Sequence, residues 1–374
     1  MPVPAVLLLG LLSAAGCNRQ PAAATAPAAG TSSAAPELAI EPLSPLLPNR
    51  ATHLAWTAQG NLYWSQESDD GHDRLFVMGS DGVPQATQLS SQSIADALGA
   101  DSGRGNIQSL CAGPGQEIYF YFHGESAGRA LAALGRFAPD SSEIRILCDT
   151  AALERSTGMG ESIALARGAM AGGGSEIWLR IHHTDAACMF RFDPRAVLPD
   201  APLELHKAFD AIRLENVPAP FTDDQQRIAP DGEGSFLLLD PAHARLLRVD
   251  MNGTATSILS LLGLPGALST PAMDPQGRIV LFDADSTPLA ATNPADTRKT
   301  WRLDISWPAL LMLNSRGTMT AISRDHFQTP PGIAAFGMKI TELIAAPAGS
   351  APSFIGYDSH SGQVLRLTVK NPHS

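Results

Sequence analysis

The sequence predicts an all-β fold: a six-bladed β-propeller whose N-terminal strand completes the last blade. Three observations predict it. From about residue 52 a unit recurs in which an apolar strand with a Gly-containing turn leads into a second, strongly apolar strand, a polar turn and a third strand. The six copies begin HLAWTAQGNLYWSQ, SLCAGPGQEIYFYF, GAMAGGGSEIWLRI, RIAPDGEGSFLLLD, PAMDPQGRIVLFD and LIAAPAGSAPSFIGYD. Anchored on Leu62, Ile118, Ile177, Phe236, Ile279 and Phe354 they recur at intervals of 56, 59, 59, 43 and 75 residues, and a period near 40–60 with strand–turn–strand content is that of propeller blades. Helical patterns are scarce, restricted to 93–98 and 150–155, both between units. Finally, the sixth unit runs out after three strands (340–345, 353–357 and 363–369), while segment 37–43 precedes the first unit with no partner of its own. Pairing first with last removes two open sheet edges, so the ends are expected to meet.

Composition agrees. Of 374 residues, 44% are hydrophobic and 17% charged, which excludes a disordered chain and gives ample length for a core. The 33 glycines and 29 prolines suit a chain that turns often. A formal charge of −11 argues against gripping phosphate backbones, and nucleic acid is not an expected partner. No apolar run reaches the roughly 18 residues of a membrane span.

The first residues, MPVPAVLLLGLLSAAGC, hold a short apolar core at 6–12 followed by small residues and Cys17. This is a secretory signal rather than a span. The ending Ala14-Ala15-Gly16-Cys17 resembles the lipobox of bacterial lipoproteins. That resemblance implies lipidation of the Cys17 thiol after removal of a signal peptide at 1–16, and attachment to a membrane through that lipid. Asn18, next to the cysteine, by the same resemblance favours the outer membrane of the cell envelope. Residues 21–36, PAAATAPAAGTSSAAP, carry no charge and bury nothing worth their ordering entropy. The expected organisation is therefore signal peptide 1–16, lipidated flexible tether 17–36 and a single propeller domain 37–370. Cys111, Cys148 and Cys188 remain; three cannot all pair, their spacing is not that of a zinc site, and they read as small buried residues, with one bridge left open.

The fourth unit, FLLLDPAHARLLRVD (236–250), resembles the NHL repeat, in which Asp-x-x-Asn-x-Arg hinges two strands; His243 stands where Asn is usual. The sixth unit, YDSHSGQVLRLTV, keeps Asp358 and has Gln363 in place of Arg. The other units keep the apolar rhythm without the motif. Long connections at 195–226 and at 283–308, the latter inside the fifth blade, are expected to gather on a face.

The turns between the second and third strands share one face with the links between blades. Histidines concentrate there: His72, His123, His182, His183, His243 and His360, with Asp283 and Asp285 in the same place in the fifth blade. They form the candidate ligand face. Converging imidazoles and carboxylates hold a metal or, once protonated, an anion; equally, His holds a turn by hydrogen bonding, as the hinge residue of the NHL repeat does. No Gly-x-Ser-x-Gly elbow, His-Glu-x-x-His pair or Walker loop is present, so no catalytic residue is assigned. Asp69-Asp70 and Asp223-Asp224 lack EF-hand spacing and read as solvated surface. The sequence thus reads as a membrane-tethered binding scaffold for an envelope protein, a peptide or a glycan, with no cofactor predicted. The alternative, by architectural resemblance to gluconolactonase-like propellers, is a metal-dependent lactonase- or lyase-like enzyme holding one divalent cation at the axis.

Overall fold

A computed structural model describes residues 35–370 outside the stretches 45–50, 68–71, 101–103, 173–175, 184–185, 198–202, 210–212, 215–226, 232–233, 241–244, 263–267, 275, 285–289, 294–295, 303–305, 316–317 and 347–351. The expected signal peptide, Cys17 and nearly all of the tether lie outside the described residues, as do His243, Asp285 and the two Asp-Asp pairs.

The strands form six sheets. The chain is a six-bladed β-propeller. Blade one is Ala51–Trp56, Leu62–Glu67, Asp73–Met78 and Pro84–Ser90. Blade two is Arg104–Ala112, Ile118–Ser126, Arg129–Ala138 and Glu143–Cys148. Blade three comprises Arg167–Gly172, Ile177–His183, Ala186–Phe192 and Lys207–Phe209. Blade four comprises Arg227–Pro230, Phe236–Asp240, Arg245–Val249 and Thr254–Leu262. Blade five has Ala272–Met273, Ile279–Asp283, Ala309–Leu313 and Met319–Ser323. Blade six has Ile340–Ala345, Ser353–Asp358 and Gln363–Lys370, with Glu37–Pro42 as its fourth strand.

The second strands carry short apolar runs because each sheet is covered on both faces by neighbouring blades. In Phe236–Asp240 the alternation is legible: Phe236 and Leu238 pack with Trp178 of blade three, Leu237 and Leu239 with Ile279 and Leu281 of blade five. Glycine permits a close seam between blades two and three. A Cβ on Gly168 would lie 2.2 Å from the Tyr121 ring of blade two, so the blades meet there only because that position has no side chain.

Side chains also tie the innermost strands together. Glu342 of blade six accepts the His53 and Leu54 amides of blade one at 3.0 and 2.7 Å. The Gln108 and Ser109 side chains of blade two accept the Gly168 and Met170 amides of blade three at 3.1 and 2.9 Å. Thr270 Oγ1 of blade five accepts the Leu343 amide of blade six at 2.7 Å. One tie comes from further out: Asp73, opening the third strand of blade one, accepts the Ile107 amide of blade two at 2.8 Å.

The closure expected from the sequence is present. Glu37–Pro42 runs antiparallel to Gln363–Lys370, with Leu38 opposite Val369 and Ile40 opposite Leu367. Leu38 and Ile40 are buried in the core between blades five and six. Phe327–Gln328 adds a short parallel pairing on the outer side of the closing strand.

Three features depart from the sequence reading. The helices run Ser91–Ala97, capped by Ser90 and Ser93, and Thr150–Thr157, capped by Asp149, with a left-handed Gly158 at its end. His123 lies inside a strand, not in a turn: Ile118–Ser126 and Arg129–Ala138 form a long hairpin closed by Ala127 and Gly128, both with positive φ. The insertion of blade five carries a hairpin, Ala290–Asn293 and Asp296–Arg302, that docks on the outer strand of blade four, with Leu262 opposite Ala290.

Candidate functional site

Within each blade the innermost strand starts at the face shared by the blade links and the second-to-third turns. The two helices lie in links between blades, and so on that face.

Three second strands end in a buried aspartate at the same position: Asp240, Asp283 and Asp358. Each belongs to its own hinge. Asp240 accepts from Arg245 Nε at 2.9 Å, the Asp–Arg pair that the NHL resemblance implies. Asp358 accepts from the Lys339 and His360 amides at 2.8 and 3.1 Å and from Ser361 Oγ at 2.6 Å, locking the turn to the incoming innermost strand. Asp283 is bridged to Leu268, beside which Ser269 Oγ accepts the Phe282 amide at 2.9 Å.

The described histidines of the candidate face are distributed rather than gathered. His72 Nδ1 is 3.2 Å from Ser91 Oγ at the start of the first helix. His182 is buried in its strand, opposite Arg167, and His183 ends that strand. His360 is exposed in the turn of blade six. Among the described residues no group of three or more His, Cys, Asp or Glu side chains converges as a metal-binding set. Cys111, Cys148 and Cys188 are buried in one core cluster between blades two and three, and burial pushes the Cys148 thiol up to about 12.

Several residues on or near this face were not singled out from the sequence. His53 bulges out of the innermost strand of blade one, with φ of 52°; Gln108 and Thr341 are the bulged residues of blades two and six. Bulges re-aim side chains, and His53 Nδ1 stands 3.8 Å from Glu342 Oε1. Arg180 is wholly buried on the side of blade three that carries Trp178. Phe336, in the link to blade six, is 77% exposed, with the Arg324 guanidinium 5.6 Å from its ring centroid. Its loop is held: Met338 is buried, the Lys339 amide is bonded to Asp358, and a Cβ on Gly337 would be 3.8 Å from His360 Nε2. The signal for Phe336 was available in PPGIAAFG, an apolar run broken by turn formers; backbone bulges leave no such trace.

Burial holds the Asp73 carboxyl above its ordinary value of 3.8, against the lowering effects of the Ile107 amide and His53. A carboxyl raised on folding costs stability as pH climbs through and above its unfolded value, and the cost disappears on acidification. The melting temperature of the wild type relative to Asp73→Asn is therefore expected to rise as pH is lowered from about 6 to about 4. Parallel curves would show that Asp73 titrates as it does in the unfolded chain.

Neither a family model nor a curated protein matches the sequence. Solved structures match along most of its length. Virginiamycin B lyase from Staphylococcus aureus is 10% identical over 89% of this chain and 99% of that one, with a TM-score of 0.47. A calcium-binding regucalcin from Agrobacterium tumefaciens is 12% identical, over 91% and 95%, with a TM-score of 0.47. A gluconolactonase from Xanthomonas campestris is 13% identical, over 92% and 98%, with a TM-score of 0.46. Similarity at this level carries no argument about chemistry, and the fold rests on the six sheets themselves.

Proposed function

We propose that this protein is an exported, lipid-anchored propeller of the cell envelope that binds a partner on the face bearing the blade links. The partner is a glycan, a peptide or another envelope protein, and the membrane is reached through lipid on Cys17. The observation that carries the reading is Phe336. Among the described residues Phe336 is the most exposed large hydrophobic side chain, at 77%, and it sits on a loop tied at Lys339 to Asp358. Arg324 beside the ring and His360 beside Gly337 add a cation and a titratable hydrogen-bonding group. An aromatic anchor with polar neighbours is the make-up of a binding hot spot.

The test is a binding screen of envelope glycans and peptides, read by thermal shift, on the wild type and Phe336→Ala. A ligand that stabilises the wild type is expected to lose at least tenfold in affinity for the variant, with the unliganded melting temperature unchanged. Equal binding by both proteins would remove Phe336 from the site. A stoichiometric metal ion, removed by chelators together with a hydrolytic or lyase activity, would instead favour the lactonase- or lyase-like enzyme.

A further inference from the structure

The link between blades five and six carries no charged residue from Phe327 to Met338, and Phe336 projects from it. Pro331, Gly332 and Ala334 are exposed with it, while Ile333 packs against the core between blades five and six and Met338 is buried there. Two turns fix the shape of the loop. The Ile333 amide donates to the Pro330 carbonyl at 3.2 Å and the Met338 amide to the Ala335 carbonyl at 3.4 Å, with Gly332 and Gly337 left-handed at φ of 95° and 84°. The ring is thus a knob held in place by its own loop. Beside it stands the Arg324 guanidinium, whose ion-pair partner Asp325 is 3.8 Å away, beyond hydrogen-bond distance. Asp325 itself accepts from Ser306 Oγ at 2.5 Å.

We infer that the partner of this face is a folded envelope protein, with an apolar pocket that receives the Phe336 ring and a carboxylate on the pocket rim that pairs with Arg324. This rests on the docking reading above and selects one of its three partners. A projecting ring needs a concave counterpart, and pockets belong to folded chains; a glycan or a short extended peptide presents none. Sugar hydroxyls taken out of water also need hydrogen-bonding partners, whereas the side chains of 327–338 are apolar apart from Gln328 and Thr329. Aromatic residues and Arg are enriched where protein interfaces are buried, and a knob already fixed by its loop loses little conformational entropy on docking. A guanidinium has five donors and no acceptor, and carboxylates take it through two parallel bonds. The complement of Arg324 is therefore acidic.

The test places the photo-reactive residue p-benzoylphenylalanine at position 336 of the full chain, in the cells that make it, and at position 83 as a control; Val83 is 54% exposed in a turn of blade one. Irradiation is expected to join position 336, and not position 83, to one protein, at residues that line an apolar pocket flanked by Asp or Glu. That protein, purified, is expected to bind the wild type and to lose at least tenfold in affinity for Phe336→Ala and for Arg324→Glu. Replacing its rim carboxylate by Lys is expected to restore binding to Arg324→Glu. A joined protein that binds both variants as it binds the wild type, or a charge exchange that restores nothing, overturns the inference. Cross-linking of position 336 to a glycan or to a second copy of this chain overturns the choice of partner while leaving the face as a docking site. No product from position 336 overturns the docking reading itself, and the inference with it.

Discussion

Deleting residues 37–42 is expected to abolish cooperative unfolding of the propeller, although the segment lies at the edge of one blade. Leu38 and Ile40 are fully buried among Leu310, Ile322, Leu365 and Leu367 of blades five and six. Truncating a buried Leu or Ile to Ala costs about 2–5 kcal/mol, and domains are stable by only about 5–15 kcal/mol. Leu38→Ala combined with Ile40→Ala should by itself consume most of that margin. Deletion adds the loss of the pairing to Gln363–Lys370 and exposes an unprotected strand edge. Glu41→Ala, at an exposed position of the same strand, is the control and should stay within about 0.5 kcal/mol of the wild type. A deletion protein melting like the parent would mean that the ring does not depend on this strand.

The second large effect is expected at Asp240. Its carboxylate is wholly buried and accepts from Arg245, whose side chain is 12% exposed. Removing one member of a buried ion pair leaves the other charge desolvated without its counterion, a loss of about 3–5 kcal/mol. Asp240→Ala and Asp240→Asn should therefore both lower the denaturant midpoint, Asp240→Ala by more because the Asn amide oxygen still accepts from Arg245. Equal, small effects from both would show that the hinge is held by the backbone alone.

Much of the architecture was legible in the chain. Runs such as FLLLD and IVLFD announce strands covered on both faces, and the turn glycines between them separate the hairpins. The closing strand could be inferred from an incomplete sixth unit and a spare N-terminal segment, because unpaired edges are costly wherever they occur. What could not be read depends on contacts between distant parts of the chain. Nothing in residues 290–302 says that their hairpin docks on blade four rather than lying over its own blade. The hairpin around His123 carries polar residues on both strands (His123, Glu125 and Ser126 on one, Arg129 on the other), so polarity alone does not locate its turn at Ala127 and Gly128. The candidate face fared similarly. A list of histidines in turns was available, whereas the left-handed His53, the reach of Glu342 across a seam and the exposure of Phe336 follow from tertiary packing.

Hydrogen exchange of the peptides covering 37–42 and 363–370 tests the ring closed by its own N-terminal strand most directly. Both are expected to exchange together, as slowly as the central strand Ile118–Ser126, because each is released only by global opening. Exchange of 37–42 within seconds, with 363–370 still protected, would contradict the closure.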